Sequence, residues 1–590
     1  MKQIKYIFLI ALMAMSTSCV DDLLNREATT QVSSEIYWRS VDDVQKVTYS
    51  VYQATRTLFG RDYYFDGQGE FQNTRGTSLS SGQGSWGAGT GVGSSFSYMW
   101  NNAYTVINRA NYVLENTEMM IENGTVSGDN NEIKRLKGEC SFLRALAYFR
   151  LLQLWGDVPY YTHVLKSNDE ALSFTRTPAG EVKDNILDDL SYAISVLPTP
   201  DKTEKGNASL AAAYGFRGKV QLYWASWKKN GWPEVEGFTQ DANEAAVYYK
   251  NAADDFSKVI HDYGLKLFSE DNPGTYEDPA YWHLFTHQNE TVDEIIFSVR
   301  FHGPNVGQGE SMLRDFGTRT TGFAQCWVYP STRLVDRYQK ISTGDYAEPI
   351  VLIRDDKYPN GSINRETYED RDWRMKATLL WDGETLLGID TDGLKMLTEY
   401  PYYTFINGER DQSRGYINYD IGVGPGYIYR KWVRQEAIAD RADGPQDFYL
   451  MRLADVYLMY CEAMNEVSGP SSELVQLVDK IRKRGNLPGL TASKYANKDE
   501  FFKAIEQERI VEFPGEGIRS FDIRRWRKVE EIWGQEGGPG LQMFNTHGDK
   551  IRDEFRYVGA GHYGRYYIYE IPKDEIARNP KLIQNKPWLL

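Results

Sequence analysis

Apolar residues recur every three or four positions through several long stretches, and breakers divide those stretches into pairs. In NEIKRLKGECSFLRALAYFRLLQLWGDVPYY, residues Ile133, Leu136, Cys140, Leu143, Ala147 and Leu151 share one helical face, and Gly156 and Pro159 end the run. The next stripe is Val182, Ile186, Leu190, Ala193 and Leu197, stopped by Pro198. A second pair follows, with Leu210, Ala213, Phe216, Val220, Tyr223 and Trp227 on one helix and Ala246, Tyr249, Ala253, Phe256 and Ile260 on the other, capped by Gly264. Leu450, Leu453, Tyr457, Tyr460 and Met464, then Leu474, Leu477, Val478 and Ile481 before Gly485, make the third. Repeated helix hairpins with small residues at the crossings predict a mostly α, tetratricopeptide-like scaffold, although none matches that repeat's consensus well.

The scaffold is expected over about 35–59, 97–265 and 446–530. A loop-rich half, about 60–96 and 266–445, is rich in Gly, Tyr, Asp and Asn and lacks helical periodicity. EIIFSVRF (294–301) and YYIYEIP (566–572) read as short strands, whereas YEDPAYWHLFTHQNE, QCWVYPS and VGPGYIYRKW read as loops carrying aromatics. Loops on a rigid scaffold are where binding residues concentrate.

The N-terminus changes the picture, because Lys2 and Lys5 precede an apolar run from Tyr6 to Met15 and the small residues Ser16, Thr17 and Ser18. Residues 1–18 read as a signal peptide and 19–590 as one domain. Cys19 at the cleavage point is the expected lipidation site; two or three acyl chains anchor stably where one does not. Ser16 stands where bacterial lipoboxes usually have leucine, so a plain secretory site is the alternative. No later segment approaches the roughly 20 apolar residues of a membrane-spanning helix.

A net charge of −15 and a pI of about 5.2 oppose nucleic-acid binding, which needs clustered cations. Cys140, Cys326 and Cys461 are too few and too scattered for a disulfide framework, and Cys140 and Cys461 read as small buried residues. The informative excess is aromatic: 41 Tyr, 25 Phe and 15 Trp exceed what core packing requires. A neutral sugar ring has C–H faces and a hydroxyl rim, and is held best by an aromatic plane with polar side chains at its edge. Trp86, Tyr281, Trp282, Trp327 and Trp381, all on loops, are the candidate planes.

Trp86 lies in SGQGSWGAGTGVGSS, whose Gly82, Gly84 and Gly87 fit a dinucleotide-binding spacing. Such a turn works only between a strand and a helix N-terminus, and NTRGTSLS before it is no apolar strand. The run reads instead as a movable lip carrying Trp86. No cofactor or metal site is expected. HLFTH (283–287) lacks the glutamate of a zinc protease, and DTDG (390–393) has its glycine two places early for a calcium loop. No G-x-S-x-G elbow occurs, but 82 acidic residues leave a secreted glycoside hydrolase as an alternative.

Several segments, in order, resemble the SusD/RagB family of surface lipoproteins of Bacteroidetes: GECSFLRALAYFRLLQLWGDVPYY, WVYPSTRLVDRYQ, YLMRLADVYLMYCEAMNE with LVDKIRKRGNLPGL, QERIVEFPGEGIRSFDIRRWRK, and IYEIPKDEIARNPKLIQN. CVDDLLN after the lipid site resembles the acidic stretch that directs such proteins to the cell surface. The resemblance implies four tetratricopeptide-like units and a lipid anchor on the outer face of the outer membrane. It also implies a partner, a SusC-like TonB-dependent barrel that receives oligosaccharides or, in some members, peptides. Ligand contacts of the family tend to fall where Asn73, Arg75 and Asn101 stand. Because the signatures are shared by members with different ligands, Glu508, Arg509, Glu512, Arg519, Asp522 and Arg525 are expected to form ion pairs at helix ends, not a catalytic pair.

Overall fold

Six of the long helices start where a short polar side chain accepts from the free N–H groups of the first turn. In this computed structural model, which describes residues 37–74, 93–318, 321, 324–348, 366–381, 383–390, 393–399, 405–406, 409–410, 427–434, 440–533 and 564–589, that role falls to Ser40, Asn130, Ser209, Asp241, Ser471 and Asn497. Each such cap stabilises its helix by about 1 kcal/mol. The helices are α1 (Val41–Phe59), α2 (Gly93–Glu122), α3 (Asn131–Trp155), α4 (Ala179–Val196), α5 (Leu210–Asn230), α6 (Ala242–His261), α7 (Leu453–Ser468), α8 (Ser472–Arg484) and α9 (Lys498–Glu512). From α1 to α8 each packs on the next in chain order, and α9 returns onto α7. The three expected hairpins are among these pairs, and the fold is mostly α with short two-stranded sheets.

Helix α3 is buried on every side from Gly138 to Trp155, as a helix in the middle of a stack must be. Its two arginines inside are neutralised by bidentate partners: Arg144 meets Asp189 at 2.6 and 2.8 Å, and Arg150 meets Asp62 at 2.5 and 2.8 Å. Helices α5 and α6 approach closely at Gly218, where an added Cβ would lie 2.7 Å from Phe256.

Three sequence expectations change. The periodic run assigned to one helix from Leu450 is a strand, Phe448–Arg452, that becomes α7 at Leu453. Its residues pair antiparallel with Ile295–Val299, and that tertiary pairing outweighs the helical spacing. QCWVYPS and VGPGYIYRKW are not only loop, because Val328–Pro330 forms a ribbon with Gln72–Thr74 and Ile428–Tyr429 pairs with Leu379–Leu380. YYIYEIP forms no strand: Gly564–Tyr567 is a helical turn, and the extended residues after it find partners singly. Tyr569 N–H donates to Leu154 O at 2.6 Å, while the Gln584 side chain accepts from Ile571 N–H and donates back to its carbonyl.

The loop-rich half is joined to the helices by buried charge. Arg374 contacts Asp372 at 2.6 Å, Glu508 at 2.9 Å and Glu512 at 3.1 Å, all fully inside the protein. Arg452 and Arg484 bridge Glu294 to Glu512. Asp522 holds Arg509 at 2.6 Å and Arg525 at 2.9 Å, and Arg519 reaches Glu70 and Glu506. The cluster expected near the C-terminus is therefore an ion-pair network at helix ends, set in the last turn of α9 and along the short helix Arg519–Arg525, and it lies in the protein interior. Cys140, Cys326 and Cys461 are buried free thiols.

Candidate functional site

The eight candidate residues divide by where the fold puts them. Tyr281 is 1% exposed: its hydroxyl donates to the Glu512 carbonyl under the end of α9 and lies 3.2 Å from Lys431 Nζ. Trp381 is 1% exposed and stacks on Tyr368, with centroids 4.4 Å apart and planes within 13°. Neither offers a face to a ligand, which corrects their assignment as platforms; loop aromatics of this size supply the core of a half that has few regular elements. Trp282, the next residue on the short helix Ala280–His283, is half-buried, with its ring 4.8 Å from that of His283. His283 and His287 of the HLFTH stretch pair separately, with Asp278 and Glu290.

Trp327 is half-buried and its indole N–H donates to Gln325 at 2.5 Å. It immediately precedes the ribbon strand in which Val328 stands opposite Thr74 and Tyr329 opposite Asn73. The Asn73 side chain, Arg75 and Trp86 lie outside the described residues, as does Cys19. Asn101 is exposed near the start of α2.

Asn101 lines an open cleft of about 850 Å³. Helix α2 contributes Trp100, Asn101, Tyr104, Thr105 and Asn108, a spacing that places them on one face. The 157–174 connection supplies Tyr161 and Phe174, and the C-terminal segment supplies Glu575, Arg578, Asn579 and Leu582. These walls are tied together. Asn579 donates to the Phe174 carbonyl at 2.9 Å, and Arg176 donates to Asp157 O and Ile583 O, each at 2.8 Å. Tyr148 accepts from Tyr161 N–H at 2.9 Å and donates to its carbonyl at 2.7 Å, which fixes the backbone that carries the ring.

Three of the rings form a ladder. Tyr104 and Tyr161 are stacked at 5.9 Å and 9°, and Tyr161 and Phe174 at 5.1 Å and 27°, with Trp100 tilted against Tyr104 at 5.1 Å. Tyr104 hydroxyl donates to Pro159 O at 2.8 Å and Tyr161 hydroxyl to Asn108 Oδ1 at 2.9 Å. Burial pushes both phenols above their ordinary range, so both remain neutral donors. The rim holds the side chains of exposed Asn101, Thr105, Asn108 and Asn168, and its one carboxylate among the described residues, Glu575, is paired with Arg578 at 2.9 Å. Flat apolar faces edged by amides, hydroxyls and a neutralised charge pair suit an uncharged, hydroxyl-rich ring system.

Tyr104, Asn108, Tyr161 and Phe174 were missed from sequence. The i, i+4, i+8 run of Trp100, Tyr104 and Asn108 was the available signal, but only the packing of residues 161 and 174 against it makes a cleft.

The profile of the SusD family matches residues 293–588, and one described as starch-binding associating with outer membrane matches 29–222. The chain belongs to the SusD family, whose glycan-binding members are not catalysts. SusD-like protein P2 of Formosa agariphila is 24% identical over 605 residues, covering 100% of both chains. The crystal structure of a SusD-like carbohydrate binding protein from Bacteroides fragilis superposes with a TM-score of 0.69 at 19% identity, covering 93% of this chain and 100% of that one. A laminarin binding SusD-like protein gives 0.58 at 20% identity, covering 92% and 99%.

Proposed function

We propose that this chain is a cell-surface lipoprotein, anchored in the outer membrane through Cys19, that captures oligosaccharides and delivers them to a SusC-like TonB-dependent transporter. Residues 19–590 act in this reading as one SusD-like unit. The observation that carries it is the open aromatic cleft on α2, with its ring ladder and a rim of amides, hydroxyls and one internally paired carboxylate and guanidinium. Membership of a family of glycan binders and the starch-binding, outer-membrane description of the matching profile support it. Sugar stacks on the ladder at the Tyr104 and Phe174 ends, while Asn101, Thr105 and Asn108 hydrogen-bond its hydroxyls. Trp327 with Asn73, Arg75 and Trp86, and Trp282, form further contacts on the loop-rich half. Two or three stackings of about 1 kcal/mol each and a few exposed hydrogen bonds hold a ligand at roughly millimolar to tens of micromolar, weak enough to release it to a transporter.

The test is calorimetric titration of the mature protein with neutral oligosaccharides of different linkage, alongside mass spectrometry of co-purifying molecules. Saturable sugar binding without turnover supports the reading. Co-purified peptides and no sugar binding would replace it with the peptide-binding alternative.

A further inference from the structure

A second groove, of about 570 Å³, lies between α1 and the loops that precede α5 and follow the strand Ile295–Val299. Helix α1 presents Tyr49, Ser50, Tyr52, Gln53 and Arg56 to it along one face. Lys205, Arg300 and His302 come from the opposite wall, and Glu204 is the one acidic side chain in the lining among the described residues. In a chain of net charge −15 this gathering of cations is local and contrary to the whole.

The arginines are held in place without being neutralised from the groove side. Arg56 donates to Arg300 O at 3.3 Å and to Gln308 Oε1 at 3.2 Å, both uncharged acceptors, and no carboxylate among the described residues forms an ion pair with it. Burial lowers its proton affinity, the sign of a cation short of solvation. Arg300 is braced from behind by buried Asp447 at 3.4 Å, and donates to Lys205 O at 3.0 Å. Gly206, at φ +93°, lays its backbone along the Arg300 stem, where an added Cβ would fall 2.0 Å from Cδ. Burial, and then the positive fields of Arg300 and Arg56, lower the pKa of His302. At the rim stands Tyr49, 50% exposed, with its hydroxyl accepting from Gln45 at 2.8 Å.

We infer that this groove binds an acidic saccharide, with a sugar ring on Tyr49 and a carboxylate or sulfate ester against Arg56 and Arg300. The guanidinium of Arg56 has donors to spare for two anionic oxygens, and Gln53 and Asn207 are placed to meet neighbouring hydroxyls. This rests on the glycan-binding reading of the chain but not on the α2 cleft being its site.

The two are separated by titrating the full mature protein with three probes of equal length: a neutral β-glucan oligosaccharide, an oligogalacturonate, and a sulfated galactan oligosaccharide. Arg56→Gln should weaken the acidic probes about tenfold and steepen nothing for the neutral one, and raising salt should weaken the acidic probes alone. Whichever acidic probe binds more tightly identifies the anionic group. Gly206→Ala, which displaces Arg300 but keeps every charge, should act in the same direction; Lys205→Gln serves if either variant fails to fold. Acidic probes bound equally by wild type and both variants, or not bound at low salt, would overturn the assignment even where the neutral probe binds. Neutral binding lost with acidic binding kept would overturn the cleft and leave this groove standing.

Discussion

Tyr104 on α2 and Tyr161 on the connection after α3 stack with planes within 9° and centroids 5.9 Å apart, although 57 positions separate them. One ring of this pair is half-buried and the other nearly closed off, so the two contribute differently. Tyr104→Ala removes a ring at the ligand side and should weaken oligosaccharide binding about fivefold with little change in melting temperature. Tyr161→Ala also removes support for Asn108 and Phe174 and should lower stability measurably. Calorimetric titration and thermal melting of the two variants distinguish these outcomes.

Trp327 and Trp381 should separate in the opposite sense from their equal standing in the sequence. Trp381→Ala opens a cavity beside Tyr368 and is expected to cost about 3 to 5 kcal/mol of stability, read by urea unfolding. Trp327→Ala should leave stability nearly intact and reduce ligand affinity; unchanged affinity for every sugar that the wild type binds would remove Trp327 from the binding surface.

Arg525 is enclosed by Glu462 at 2.7 Å, Asp522 at 2.9 Å and Ser226 at 3.0 Å. Arg525→Met leaves buried Glu462 without its cation, while Asp522 keeps Arg509, and should destabilise by about 3 to 5 kcal/mol. A shift in urea midpoint smaller than a third of that would show that the network relaxes around the loss.

Stability should peak at mildly acidic pH. Burial raises Asp66, Glu139 and Glu310 to about 7, above the ordinary carboxylate range. A raised folded pKa means the folded state holds the proton more tightly, so their contribution is complete below the unfolded values and is lost as pH rises through about 7. Glu512 is the reverse: burial alone would raise it, but Arg484, Arg452 and Arg374 bring it down to about 2. Its contribution is present above its unfolded value and is lost as pH falls toward 2. Urea midpoints measured from pH 3 to 9 should fall on both sides of a maximum near 4 to 5; a steady rise from there to neutrality would contradict the assignment for the three buried acids.

Cys19→Ala should move the protein from the outer-membrane fraction to the soluble one, since no helix among the described residues is long and apolar enough to cross a bilayer. Retention in the membrane after washing with high salt would defeat the lipid-anchor reading.

The stripes of α3 to α6 were readable because a helix buries residues three and four apart on the same side, and its caps are local chemistry carried by one or two side chains. The family signatures were readable for a related reason: they are those same buried stripes and the charged residues set among them. Tyr281 and Trp327 show where local reading stops. Each is an aromatic in a loop between breakers, and nothing within ten residues separates the ring enclosed beneath Glu512 from the one left half-open at the ribbon. The partners of Glu512 arrive from positions 374, 452 and 484, and the cleft is assembled from residues near 104, 161 and 579. The chain's own pattern thus determined a helical stack of this family, whereas tertiary packing decided which aromatics are open and which charges meet. Burial and electrostatic pairing depend on distance in space, and only the folded chain brings residues so far apart in sequence within a few ångströms.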